Sequence, residues 1–246
     1  MKTQKIGGFM GLTKEEIGVV MDVALKCVVR TKNKTWHPNP NNIFSFGNKK
    51  LPEHTAVFSL LPVVSCPFAT DECKKFCYDI NTVNRYGSTR ASRKFKTEMA
   101  FYHLPILKKM IAGSIQEFKK VKKVRIHEGG DFFNQKYFNM WSELAGEYQN
   151  TLFYAYTRNY TIDTSRPDNF VLLLSDDTGK LKDYYSKFDG VSTVFSMDQA
   201  IPEDYFKCKM DCRICEACMK QGSFNKIAIP VHGQTRNQYK GAFNVK

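Results

Sequence analysis

Seven of the eight cysteines stand in two tight groups, Cys66/Cys73/Cys77 and Cys208/Cys212/Cys215/Cys218. Thiolates are soft ligands, suited to iron–sulfur clusters and to zinc. The first group reads Cys66-Pro67-Phe68-Ala69-Thr70-Asp71-Glu72-Cys73-Lys74-Lys75-Phe76-Cys77-Tyr78. Three local thiols leave one metal position open for a substrate or a distant side chain. Structural zinc normally takes four protein ligands, so this set suits a four-iron four-sulfur (4Fe–4S) cluster with one differentiated iron better than a closed zinc site. The second group supplies four thiols within eleven residues, enough to close a site locally. Its steps resemble the bacterial ferredoxin spacing read in reverse, which points to a second 4Fe–4S cluster. Four cysteines are also a complete zinc set, so zinc is the competing occupant there. In a third arrangement, one of the four completes the first site. Cys27 falls in the apolar helical pattern Ile17, Val20, Met21, Ala24, Leu25, Val28 and reads as a small core residue.

A second polar constellation is His127-Glu128-Gly129-Gly130-Asp131. The glycines permit close backbone approach, and Glu128 or Asp131 can hydrogen-bond the amine or hydroxyls of a ligand. The same run also reads as an ordinary turn with a helix-capping acid. His127 and His232 are candidate ligands or acid–base groups, against the commoner role of a histidine as a structural hydrogen-bonder. His127 and Asp131 are taken as the catalytic candidates. Tyr154, Tyr156 and Tyr160 could stack on bases, but their spacing fits strand packing better.

These residues need elements to position them. Residues 14–29 have helical spacing, and residues 33–54, rich in Asn, Pro and Lys, read as an irregular entry segment. Thr55–Leu61 reads as extended. Ser88–Phe101 and Leu104–Phe118 read as helix interrupted near Pro105, then Val124–His127 as a strand and Gln135–Tyr148 as a helix with Tyr137, Trp141, Leu144 and Tyr148 on one stripe. Strands are expected at Leu152–Thr157, Phe170–Leu174, Val191–Ser196 and Ile227–Val231, with a helix at Leu181–Phe188. Alternation of this kind argues for βαβ units and a parallel sheet. The expected fold is α/β, a partial or complete parallel β/α (TIM-like) barrel with a C-terminal cysteine-rich insertion. One domain spans residues 1–246: an N-terminal helix and entry segment (1–54), core β/α units (55–200) and a cysteine-rich module with the last strand (201–246). In such folds the site forms at the C-terminal ends of the strands, where His127–Asp131, Thr157-Arg158-Asn159-Tyr160, Ser175-Asp176-Asp177, Ser196-Met197-Asp198-Gln199 and His232 would share one mouth.

The N-terminus holds no signal-peptide core, and no apolar run approaches membrane-spanning length. The expected setting is a reducing cytoplasm with no membrane partner, where closely spaced cysteines bind metal rather than form disulfides. The formal charge is +13. The stretch 85–125 carries twelve basic residues (Arg85, Arg90, Arg93, Lys94, Lys96, Lys108, Lys109, Lys119, Lys120, Lys122, Lys123, Arg125) against Glu98 and Glu117, a net +10. Such a patch attracts polyanions, nucleic acid above all; its bland counterpart is a solvated helical face.

The run Phe44-Ser45-Phe46-Gly47-Asn48-Lys49-Lys50-Leu51-Pro52 leading to Phe58-Ser59-Leu60 and the first cysteines, then Arg125-Ile126-His127 with Gly130-Asp131-Phe132-Phe133, Tyr137 and Trp141, then Phe153-Tyr154-Ala155-Tyr156-Thr157, resembles the gene-product-88-like proteins of phages and mobile elements. The likeness runs from about Phe44 to His232 and implies a phage or mobile-element origin; if so, the setting is the host cytoplasm. More broadly, a three-cysteine loop after the first strand and a glycine-glycine-acid motif after the second resemble radical S-adenosylmethionine enzymes. That resemblance implies that Cys66, Cys73 and Cys77 hold a 4Fe–4S cluster whose fourth iron chelates S-adenosylmethionine. Phe76 would match the aromatic position before the last cysteine, and Gly129, Gly130 and Asp131 would face the cofactor amine. The cysteine spacing here is wider than in that family, and the acid is Asp where Glu is usual. The expected function is a radical-S-adenosylmethionine-like iron–sulfur enzyme. The alternative is a non-catalytic basic protein, stabilised by iron–sulfur clusters or zinc, that binds nucleic acid.

Overall fold

The computed structural model describes residue 9 and residues 11–48, 50–118, 120–195, 199–219 and 225–231. Helix α1 (Lys14–Lys26) begins on a reciprocal cap. The Thr13 hydroxyl accepts from the Glu16 amide, and the Glu16 carboxylate accepts from the Thr13 amide. A small antiparallel pair follows, β1 (Val29–Arg30) with β2 (Thr35–Trp36). The remaining strands are β3 (Ser45–Asn48), β4 (Leu51–Phe58), β5 (Lys123–Ile126), β6 (Leu152–Thr157), β7 (Phe170–Ser175), β8 (Gly190–Phe195), β9 (Phe206–Lys207) and β10 (Asn225–Pro230). Between β4 and β5 run α2 (Asp71–Phe76), α3 (Tyr78–Arg85), α4 (Gly87–Tyr102) and α5 (Leu104–Glu117), and α6 (Gln135–Glu147) joins β5 to β6.

These eight strands form one sheet in the order β3-β4-β5-β6-β7-β8-β10-β9, parallel throughout except for the β3–β4 pair. From β4 to β8 every strand lies beside its neighbour in the chain, so the order never reverses and all these strands point their C-terminal ends the same way. No ladder joins β3 to β9 among the described residues. The fold is thus mixed α/β with a mostly parallel sheet.

Side chains alternate across a strand, and here the two faces are covered differently. Phe58, Val124, Ile126, Phe153, Ala155, Leu172 and Leu174 pack on the helices, against Leu107, Met110, Ile111, Tyr137 and Trp141. Burial of each such side chain contributes about 1.5–3 kcal/mol. The other face carries Tyr154, Val171, Leu173 and Ile227 against Met219, with Tyr156, Cys208, Cys212 and Cys218 packed alongside. The cysteine-rich segment therefore covers the sheet face that the helices leave open.

Three expectations change in detail. The segment 33–54 is not wholly irregular: β2, β3 and the start of β4 lie in it, because β3 pairs with β4 across a bulge. The cysteine loop contains two short helices, α2, started by the Thr70 cap rather than by an apolar stripe, and α3, which follows at Cys77. The interruption expected near Pro105 falls at His103, between α4 and α5, and Pro105 sits in the first turn of α5, where its missing N–H leaves nothing unpaired. Residues 182–187 form a 3₁₀ helix. No helix among the described residues is long and apolar enough to cross a membrane.

Candidate functional site

Beyond Phe58 the chain turns over the end of the sheet. The Leu60 amide donates to the Gly129 carbonyl at 2.8 Å and the Leu61 amide to the Thr97 hydroxyl at 2.8 Å. The Cys66 amide donates to Val63, whose φ is 68°. Thr70 then caps α2 by accepting from the Cys73 amide at 3.0 Å, and its hydroxyl donates to Asp177 beyond β7 at 3.1 Å. Cys73 is thereby fixed in the first turn of α2 and Cys77 at the junction with α3. The three thiols lie within electrostatic reach of one another. Burial, then Asp131 and the neighbouring thiols, pushes the Cys66 thiol up to about 12, and burial raises Cys77. Arg158 closes the rim: its guanidinium lies within electrostatic reach of Cys73 and pairs with Asp177 at 2.6 Å.

The turn after β5 is built tightly beneath these thiols. His127 has a φ of 65°, and its ring turns into the helix-covered core against Phe132 and Tyr137. There Nε2 lies 3.0 Å from the Tyr137 hydroxyl, while Nδ1 is buried without a partner. Burial lowers its pKa to about 3, so the ring is neutral. The Glu128 carbonyl accepts from the Tyr78 hydroxyl, and its carboxylate lies 3.6 Å from Arg93. Gly129 admits no side chain, because a Cβ would collide with the buried Asp79–Arg93 ion pair. Gly130 has a φ of 95°, which an L side chain rarely adopts. Asp131 accepts from Thr157 Oγ1 at 2.6 Å, the Arg158 amide at 2.9 Å and its neighbouring Phe132 amide at 2.7 Å. Its carboxylate ties the end of β5 to the end of β6, and burial raises its pKa to about 6 against those hydrogen bonds. Phe76 carries the Lys75 ammonium 5.1 Å from its ring centroid.

The second thiol group is held by backbone bonds at both ends, from the Cys208 amide to Ala228 and from the Cys212 amide to Lys50, each 2.8 Å. Cys218 lies beside Tyr156, and burial pushes its thiol up to about 11. Cys208, Cys212 and Cys215 all lie within its electrostatic reach. Every cysteine is a free thiol. Among the described residues no three His, Cys, Asp or Glu side chains are gathered closely enough to ligate one metal ion. The donor chemistry nonetheless fits an iron–sulfur cluster, in which each thiolate binds its own iron and the ligands stand around a larger body than a single ion.

The structure brings Cys66, Cys73, Cys77 and Asp131 together at the strand ends and seats Cys208, Cys212 and Cys218 on the open sheet face. It sends His127 elsewhere. Asp176 organises its own turn, accepting from the Thr178, Gly179 and Leu181 amides and the Tyr185 hydroxyl. Tyr154 and Tyr156 serve as strand packing under the cysteine-rich segment, and Tyr160 lies between Phe68, which it meets edge-on, and Tyr184, against which it is tilted. Ser196, Met197, Asp198, His232 and Lys119 lie outside the described residues. Much of the basic stretch is engaged internally: Arg93 with Asp79, Lys96 with the Ile43 carbonyl, Lys108 with Glu143 and Glu147, Lys109 with Glu16, and Lys123 with Glu216. Residue order does not reveal Asp79 or its pairing with Arg93, a partnership across fourteen residues with no local signal, whereas Thr70 could have been found from the cap pattern ahead of Cys73.

Comparison with known proteins agrees with the outline of motifs on this scaffold. Residues 29–238 match the model of the Gene product 88 family. The Gene 88 protein of Mycobacterium phage L5 is 29% identical over 132 residues, covering 46% of this chain and 52% of that protein. The Gene 88 protein of Mycobacterium phage D29 is 29% identical over 112 residues, covering 39% of this chain and 44% of that protein. The chain thus spans about half the length of the curated relatives it matches. No solved structure matches it. With the family model extending from β1 past β10, the chain belongs to the Gene product 88 family of phage proteins.

Proposed function

We propose that this chain is an iron–sulfur protein with two four-iron centres, one on Cys66, Cys73 and Cys77 and one on Cys208, Cys212, Cys215 and Cys218, and that it works as a radical-S-adenosylmethionine-like enzyme on a sheet curved as a partial barrel. The observation that carries this reading is placement. A three-thiol set sits at the carboxyl ends of sequentially ordered parallel strands, and Cys208, Cys212 and Cys218 pack on the open face of the same sheet with Cys215 within electrostatic reach. A differentiated iron at the first centre would supply a coordination position for the amine and carboxylate of S-adenosylmethionine. This chain's own residues give that position its surroundings. Arg158 offers a guanidinium beside Cys73. Gly129 and Gly130 let the turn pack tightly against Asp79, Arg93, Leu60 and Ser65, and Asp131 fixes the turn on which they lie.

Anaerobically purified protein should contain about eight irons and matching sulfide per chain, and Cys73→Ser should bring this down to about four. On reduction with S-adenosylmethionine, the wild type should release methionine and 5′-deoxyadenosine, and Cys73→Ser should not. Zinc in place of iron at both groups would sink the reading, leaving a zinc-braced protein whose exposed Arg85, Lys120 and Lys122 are the places to test for nucleic-acid contact.

A further inference from the structure

Arg125 lies on β5 in register with Tyr154 of β6, so both side chains project from the sheet face that the cysteine-rich segment covers. Its guanidinium stands 6.0 Å from the Tyr156 ring centroid. It is within electrostatic reach of Cys212 on one side and of Tyr78, the residue after Cys77, on the other. It stands beyond ion-pair distance of every described carboxylate, with Glu128 and Asp79 within electrostatic reach, and its Nε is buried without an acceptor. The Tyr154 hydroxyl, also within reach of Cys212 and Cys218, is likewise buried and unpartnered. The neighbouring arginine on the helix side, Arg93, has its charge met by Asp79 and Glu128.

A positive charge held against an apolar sheet face is costly unless an anion meets it, and a buried donor without an acceptor adds to that cost. Two such donors side by side, both next to the second thiol group, mark the place where the missing acceptor sits. Four thiolates around a four-iron core, or around zinc, leave a net negative charge, and their sulfur atoms accept hydrogen bonds. We propose that Arg125 is the internal counter-charge of the centre on Cys208, Cys212, Cys215 and Cys218, with its Nε and the Tyr154 hydroxyl donating hydrogen bonds to the sulfur atoms. Arg125 acts as a positioning and tuning residue, and the proposal rests on the reading that this group binds metal. Net charge and hydrogen bonds to sulfur set a cluster's reduction potential. Arg125 therefore holds the second centre at a higher potential than four bare thiolates would.

The test uses full-length, anaerobically purified protein in a Cys73→Ser background, so that only the second centre contributes. Metal content is measured first, then the reduction potential by spectroelectrochemistry, for Arg125, Arg125→Gln, Arg125→Lys and Tyr154→Phe. The expected result is a lower potential in Arg125→Gln, most of it restored in Arg125→Lys, and a smaller fall in Tyr154→Phe. An Arg125→Gln protein with full iron and an unchanged potential overturns the proposal. Loss of second-centre iron in Arg125→Gln, with retention in Arg125→Lys, supports it. If the parent holds zinc there, the readout is zinc release to a chelator, which should be faster in Arg125→Gln; equal rates overturn the proposal. A parent without metal at this group defeats the metal reading itself, a failure visible before any Arg125 variant is made.

Discussion

A histidine held at a φ of 65° with its ring in the core is coupled to pH in a definite direction. In the folded chain His127 titrates at about 3 against an ordinary 6.5. The unfolded state therefore binds the extra proton first, and stability is lost as pH falls below about 6.5. Asp131 has the opposite sign. Raised from 3.8 to about 6, it contributes stability that is complete below 3.8 and lost as pH rises through 6. His127→Asn removes only the first effect, and asparagine tolerates the left-handed backbone. Between about pH 6.5 and about pH 4.5, its unfolding free energy relative to wild type should shift in the variant's favour by about 2 kcal/mol. A pH-independent difference in urea unfolding would show that His127 is not held neutral. Sequence placed this ring at the rim because it follows a strand and precedes two glycines. The positive φ that turns it inward is a property of the finished turn and leaves no mark in residue order.

The elements that carry the site were easier to read. Phe170–Leu174 and Leu152–Thr157 announce themselves as apolar, β-branched or aromatic runs, and the stripe Tyr137, Trp141, Leu144 announces α6; each is found at its expected place within a residue or two. What sequence did not reveal is how one element's end is tied to another. Asn169, just before β7, sends its side-chain amide to the carbonyls of Ala145, Tyr148 and Thr151 at 2.9, 3.2 and 2.8 Å. It thereby finishes α6 and sets the turn into β6. Asn169→Ala leaves those carbonyls to find other donors and should lower the unfolding free energy by about 1–3 kcal/mol, read as a lower urea midpoint with an unchanged slope. The charge of the 85–125 stretch was legible, its use was not. Partners such as Asp79, Glu16, Glu143 and Glu216 lie far along the chain and are supplied only by folding.

The molecule as a whole has a robust side and a conditional one. Helices bury one sheet face in a large aromatic core, while the other face is covered by the short segment around Cys208–Met219, which has little apolar surface of its own. If metal joins that segment's thiols, its removal should free the segment and leave the helix-covered core intact. Metal-free protein should then be cut by trypsin near Lys209 and Arg213 while keeping its far-UV circular dichroism; equal resistance with and without metal would show that packing alone holds it. The sequential strand order also has a consequence in time. Cys66, Cys73 and Cys77, with strands β4 to β6 at whose ends they lie, all leave the ribosome before Cys208 is made. Translation therefore delivers the thiols in two batches, and the first can be enclosed while the second does not yet exist.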